Sequence, residues 1–289
     1  MLTIHAPCKV NWYLEIPGRR PDGFHEIVTV MQTISLHDTL TLTDRPDGTV
    51  SFDCRVDLGP PEHNLVVRAA KLAQRLAPGR GVHLSLIKRV PHGAGLGGGS
   101  SDGACTLVAL NRLWNLGQSN DQLRQLAAEL GSDCAFFIEG GTALCTGRGE
   151  QVRQLADQTG KHLVILYPND VCPTKDVYAD LARRLTYGRP ESYFFHVFES
   201  NAGPEKIASV VTNRLQDSAL RVSSRLADVW GKTAHETGVI VRFVSGSGSS
   251  IAFLVPDAAV AQSLARSLGD RGLGQAFATH TLPRGPRWE

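Results

Sequence analysis

Residues 91–101 read Pro-His-Gly-Ala-Gly-Leu-Gly-Gly-Gly-Ser-Ser, five glycines and two serines in eleven positions. Glycine has no Cβ, so backbone N–H groups can crowd around one point and positive φ costs little. The flanks argue against a flexible linker. Upstream, Val82-His83-Leu84-Ser85-Leu86-Ile87-Lys88 alternates as a half-buried strand does. Downstream, Ala104-Cys105-Thr106-Leu107-Val108-Ala109-Leu110-Asn111 carries a helical apolar pattern. A glycine loop that feeds a helix start gathers unpaired N–H groups and partial positive charge, which makes a cradle for phosphate.

Three phosphate-binding designs compete for this loop. The P-loop needs a Lys directly after its last Gly, and none stands there. The later Gly231-Lys232-Thr233 is a decoy, because Leu226 occupies the position of the first required Gly. Gly93, Gly95 and Gly98 do satisfy the dinucleotide spacing G-x-G-x-x-G, so an NAD-dependent oxidoreductase is the rival from another class. That fold needs a second strand ending in an acid after its helix. Here Ser119-Asn120-Asp121-Gln122 is a capping box, and Leu123, Leu126, Ala127 and Leu130 follow at helical period.

Composition removes other classes. The 289 residues are 42% hydrophobic and 20% charged, with a net charge of +2, so no basic field points to nucleic acid. The six cysteines (Cys8, Cys54, Cys105, Cys134, Cys145 and Cys172) make no C-x-x-C pair and no zinc spacing. They read as thiols of a reducing cytoplasm. No leader pattern and no bilayer-length apolar run is evident, so no membrane partner is expected.

Strands are expected over residues 2–16, 27–42 and 49–56, and a helix capped by Asn64 should run to Leu76. Residues 140–147 read as a strand bounded by turns, and 162–167 read as a strand. Helices are expected over 174–185, 205–215, 217–236 and 258–268, with strands at 239–244, 251–255 and 277–282. Irregular alternation of strand and helix indicates an α+β fold, and an exit segment near 151–160 divides it into domains at 1–155 and 156–289.

Two further segments carry chemistry. In Ala6-Pro7-Cys8-Lys9-Val10-Asn11-Trp12, Lys9 and Asn11 share one face of an apolar strand. In Gly131-Ser132-Asp133-Cys134-Ala135-Phe136-Phe137, Asp133 stands between a helix end and an apolar run, where a helix cap is the plain alternative. Taken with the glycine loop, these segments resemble the GHMP kinases, the superfamily of galactokinase, homoserine kinase and mevalonate kinase. Its opening motif is Ala-Pro-Ala-Lys-Ile-Asn-Leu, and its acidic motif is Gly-Ala/Ser-Asp-Val-Pro-Phe-Phe. Cys8 and Ala135 depart mildly from it.

The resemblance implies an ATP-dependent small-molecule kinase of the two-domain GHMP fold. Its second domain would be a ferredoxin-like α+β layer, and its site would lie in the cleft between the domains. Lys9 and Asp133 would be the catalytic pair. Pro91, Gly93, Ala94, Gly95, Leu96, Gly97, Gly98, Gly99, Ser100 and Ser101 would hold ATP, with Asn64 near adenine and Lys88 on the nucleotide side. Mg²⁺ would bridge the ATP oxygens, with Ser101 the candidate ligand. Gly246, Ser247 and Gly248 fall where the superfamily has its third glycine-rich turn.

Within the superfamily, Arg20-Pro21-Asp22-Gly23-Phe24-His25-Glu26 resembles the Arg-x-Asp-Gly-Tyr-His-Glu signature of the branch whose acceptor alcohol carries cytidine diphosphate. Bottom-up, the segment is a turn beside an aromatic–His pair. The resemblance implies that His25 bonds the cytosine edge and that Phe24 stacks on the base. Tyr178 would close over the base, and Thr174 would lie near the sugar-alcohol end. Asn11 joins this substrate set. The acceptor would be a cytidine diphosphate-linked methylerythritol, phosphorylated on its 2-hydroxyl for non-mevalonate isoprenoid biosynthesis. A homoserine- or mevalonate-type kinase is the nearer alternative. Either a monomer or a homodimer is compatible. From residue 185 to 241 the resemblance thins, and Asn213-Arg214-Leu215-Gln216 replaces the family's Asn-Asp-Leu-Glu.

Overall fold

A computed structural model describes residues 1–184 and 194–289. Two long strands organise it, β1 (Leu2–Arg19) and β2 (His25–Arg45), paired antiparallel. Burial in β1 alternates up to Cys8 and is then continuous to Ile16, as expected of a strand that becomes covered on both faces. The pairing shifts between Pro7 and Lys9 and again between Asn11 and Tyr13. Such bulges re-aim side chains, and these two bracket Lys9 and Asn11.

Around this pair grows an eight-stranded sheet. β3 (Val50–Cys54) and β4 (Gly81–Ile87) extend it beyond β2, and β5 (Thr142–Thr146) and β6 (Gln151–Gln154) branch from the other half of β2. On one face lie helices α1 (Leu65–Gln74), α2 (Gly98–Leu113) and α3 (Asn120–Leu130), packed through Ala69, Ala73, Ala104, Leu107 and Leu110 on Leu40, Leu84 and Leu86. The other face meets a second sheet of β7 (His162–Tyr167), β9 (Val241–Val244), β10 (Ile251–Val255) and β11 (Gln275–His280). Val10, Trp12, Val30 and Ile34 pack there on Leu163, Ile165, Phe243 and Leu254. Helices α4 (Thr174–Arg183), α6 (Gln216–Val222), α7 (Ser224–Lys232) and α8 (Ala258–Asp270) contribute Val177, Leu181, Ala219, Leu226, Val229 and Leu264 to a third core with Val164 and Phe253.

Three expectations need correction. The helix expected over 205–215 is only α5 (Pro204–Ala208); a turn over Ser209 and Val210, closed by the Val210 N–H on the Ile207 carbonyl, leads into β8 (Thr212–Asn213), which pairs parallel with β1. The helix expected over 217–236 breaks at Ser223, whose side chain caps α7 by accepting from the Leu226 N–H. Helix α2 starts at Gly98, six residues before the apolar pattern, because the loop glycines themselves form its first turns. Residue 185, the expected end of α4, lies outside the described residues. β8 and β12 (Arg287–Trp288) both return to the first sheet, so late segments complete a sheet built mainly from the first 155 residues.

Candidate active site

The glycine loop crosses from β4 to α2 with its apolar residues Ala94 and Leu96 buried as anchors. Gly97, the residue before α2, has φ of 68°, a conformation that suits glycine. The N–H groups of the first turn of α2 then point out of the helix start, and Gly99 there is exposed, with open space where a Cβ would stand. Gly95 has a different reason to be glycine. A Cβ there would sit 2.1 Å from the Ser245 carbonyl oxygen, because the turn over 245–248 packs directly against the loop. That turn is tied on by the Ser250 N–H donating to Ala94 (3.1 Å) and the Ser245 hydroxyl donating to the Gly95 carbonyl (3.1 Å).

Lys9 is aimed into this junction. It is 3% exposed, and its ammonium donates to Asn11 Oδ1 (2.6 Å) and to the Gly95 carbonyl (2.9 Å). Asn11 is fixed in turn by donating to Thr29 Oγ1 (2.8 Å). Burial pulls the Lys9 ammonium below its ordinary pKa, opposed chiefly by the charge of Asp133. The two residues are therefore brought together, but Lys9 is bonded to Asn11 and the loop rather than to Asp133. Asp133 does not cap a helix: the short 3-10 turn after it is preceded by Ala135. It is half-buried, and its carboxylate accepts no hydrogen bond from another described residue.

His25 at the start of β2 faces Tyr178 on α4, ring centroids 4.8 Å apart. Burial, then the nearby Arg19, pull His25 below its usual pKa, which keeps the ring neutral near pH 7. Burial, and then Asp133, raise Tyr178, so its phenol stays protonated. Phe24 is 52% exposed, with the Arg148 guanidinium 5.1 Å from its ring centroid. Thr174 opens α4, and its hydroxyl lies 3.0 Å from that of Ser247 in the third turn. Gly246, on the same turn, lies against Lys9 and Asn11.

Other expected residues have structural commitments. Asn64 caps α1, accepting from the Val66 N–H at 2.9 Å. Lys88 sits at the foot of the glycine loop between two buried carboxylates, bonded to Asp38 and, at 2.9 Å, to Asp102. Asp38 also accepts from the Arg89 and Val90 N–H groups (2.6 and 2.9 Å). Burial lowers Lys88, but Asp102 and Asp38 outweigh it and hold the ammonium above its ordinary value. Burial pushes Asp102 up to about 7 against the pull of Lys88. Ser101 is fully buried beside the Cys105 thiol. Sequence reasoning missed Asp38, Asp102 and Arg148. Asp102 follows the serine pair directly and was within reach. Asp38 joins the site only through the pairing of β2 with β4, which nothing local announces.

Comparison with known proteins gives the family. Residues 64–141 match the GHMP kinases N terminal domain, the span from the α1 cap through the glycine loop to just past Asp133. The chain is 33% identical over 304 aligned positions to the 4-diphosphocytidyl-2-C-methyl-D-erythritol kinase of Pseudarthrobacter chlorophenolicus, covering 99% of this chain and 94% of the relative. It is 42% identical over 182 positions, 62% of each chain, to the protein of that name from Brevibacillus brevis. A crystal structure of a 4-(cytidine 5'-diphospho)-2C-methyl-D-erythritol kinase superposes with a TM-score of 0.81 at 33% identity, over 96% of this chain and 98% of that one. With one such relative aligned along almost its whole length and the same fold beneath it, the chain belongs to the 4-diphosphocytidyl-2-C-methyl-D-erythritol kinase family of the GHMP kinases.

Proposed function

We propose that this protein transfers the γ-phosphoryl group of ATP to the 2-hydroxyl of 4-diphosphocytidyl-2-C-methyl-D-erythritol. The observation that carries the reading is a buried Lys9 bonded to the backbone of the glycine loop itself, with the uncommitted carboxylate of Asp133 acting on it. Phosphoryl transfer asks a protein for positioned phosphates, neutralised charge and an oriented hydroxyl, and little covalent chemistry. The loop from Pro91 to Ser101 and the open start of α2 hold the phosphates. Asp133 takes the proton of the acceptor hydroxyl as its oxygen attacks the γ-phosphorus, and the bond to the ADP oxygen breaks. Lys9 meets the negative charge that develops on the transferring group.

His25, neutral and beside Tyr178, is suited to bond a cytosine edge, and Phe24 and Tyr178 offer ring faces to the base. Thr174, linked to Ser247, lies where the sugar-alcohol end would reach the third turn. Mg²⁺ would enter on the ATP oxygens and neutralise phosphate charge. The described residues hold no cluster of three metal-ligating side chains, and Ser101 is buried. No step above depends on such a cluster.

The test is ATP-dependent phosphate incorporation into the cytidine-linked alcohol, with the position of the new phosphate read from the product, alongside homoserine and mevalonate as acceptors. His25→Ala should raise the KM for the cytidine substrate by about 5- to 150-fold and leave that for ATP unchanged, as loss of one buried partner implies. If only the melting temperature moves, the cytidine assignment fails, and a GHMP kinase acting on another alcohol stands in its place.

A further inference from the structure

The turn over 245–248 is gripped from behind as well as from the glycine loop. Asn213 donates from its side-chain amide to the Val244 carbonyl (2.7 Å) and to the Gly246 carbonyl (2.8 Å), and its Oδ1 accepts from the Leu215 N–H (2.9 Å). Gln216 Oε1 accepts from the Val244 N–H (3.1 Å). Both residues ride on a segment stapled to β1. Leu14 pairs with Asn213, the Arg214 N–H donates to the Leu14 carbonyl (2.8 Å), and Arg214 forks onto the buried Glu15 carboxylate at 2.6 and 2.9 Å. β1 is the strand that carries Lys9 and Asn11. On its far side the turn meets that pair: a Cβ on Gly246 would stand 3.1 Å from Lys9 Nζ and 3.5 Å from Asn11 Oδ1.

We propose that Asn213 and Gln216 are positioning residues that clamp the third glycine turn against Lys9, and that Arg214 with Glu15 fixes the clamp to the strand bearing that lysine. The replacement of Asp and Glu by Arg214 and Gln216 in this motif is then a working solution. Arg214 answers the carboxylate of Glu15, and Gln216 retains the acceptor oxygen that Val244 needs. The inference rests on the proposed kinase reaction only for its catalytic readout; the effect on Lys9 is independent of substrate.

A cavity of about 310 Å³ lined by Thr212, Asn213, Arg214 and Gln216 lies beside the clamp, so water can enter where a side chain is shortened. Asn213→Ala should therefore fold, with the turn freed from its anchor. Misplacement of a site group by about 1 Å costs on the order of 100-fold in rate. Turnover in Asn213→Ala should fall by about 10- to 100-fold, with the KM for ATP changed by less than about 3-fold. Gln216→Leu should lose turnover in the same way, whereas Gln216→Glu keeps the acceptor and should stay near wild type.

The titration of Lys9, followed by NMR of labelled lysine side chains and assigned with Lys9→Arg, supplies the readout that requires no substrate. Its ammonium faces Asp133, Cys8 and Cys145, and burial dominates its shift. Freeing the turn admits water, so the Lys9 pKa should rise toward its ordinary value in Asn213→Ala and stay put in Gln216→Glu. An unmoved Lys9 titration in a folded Asn213→Ala protein overturns the clamp, whatever the acceptor proves to be. So does a variant whose melting temperature falls while turnover and titration hold. An inactive wild type with a Lys9 titration that shifts as expected would instead sink the proposed reaction and leave the clamp standing.

Discussion

The side chains of Lys9 and Lys88 are both largely covered, and both touch the glycine loop, yet their surroundings are opposite. Lys9 is bonded to a neutral amide and a carbonyl, and burial leaves its charge poorly compensated. Lys88 is enclosed by two carboxylates that over-compensate it. The contrast separates two uses of one residue type. A cation kept short of counter-charge is ready to meet negative charge that arrives with a substrate. A cation already saturated by fixed acids braces the chain and has little left to offer a ligand.

The largest expected effect comes from reversing the brace. Lys88→Met leaves Asp38 and Asp102 buried without a cation, and breaking such a pair costs about 3–5 kcal/mol of stability. Chemical unfolding should show that loss, with turnover of the remaining folded protein less affected than its stability. Equal stability in variant and wild type would put Lys88 on the ligand side after all.

Lys9→Met should do the opposite. Loss of one group aimed at developing charge lowers kcat by roughly 10²- to 10³-fold. Stability should move far less than in Lys88→Met, because a poorly compensated buried cation is removed along with its two hydrogen bonds. Single-turnover rates and unfolding curves on the same preparation make the comparison. A collapse of stability with little loss of rate would erase the distinction between the two lysines.

The smallest effect sharpens the contrast through pH. Asp102 is raised from 3.8 to about 7 in the folded protein, so folding favours its protonated form. The stability this confers is fully present below about pH 4 and is lost as the pH rises to about 7. Asp102→Asn cannot titrate. Its melting temperature relative to wild type should climb across that window. A constant difference from pH 4 to 7 would mean that Asp102 carries no such burden.

Much of the candidate site was legible in the sequence because its residues are contiguous. Loop glycines, Lys9 with Asn11, Asp133 and the Phe24–His25 pair each lie in a short motif, and Ser119 with Gln122 forms the expected capping box. Hidden from the sequence was whatever depends on what meets across the fold. Gly95 reads as a phosphate-contact glycine; the nearer reason for it is the Ser245 carbonyl, 150 residues away along the chain. Lys88 reads as a ligand-facing cation until Asp38 is seen to arrive from another strand. The helix expected over 205–215 ended early for the same reason: Thr212 and Asn213 pair with Tyr13 and Leu14 of β1. Local propensity yields to tertiary partners that a linear reading cannot see.

The ion pair of Arg214 with Glu15 joins residues 199 positions apart. Closing so long a loop costs chain entropy that no nearby contact repays in advance. The rear support of the third turn therefore belongs to the late events of folding, after the long strand pair and its helices have formed. Until then a collapsed chain can own a glycine loop and a lysine without a turn seated between them. Competence for chemistry would thus arrive after compactness, so regained turnover is a stricter measure of refolding than regained secondary structure.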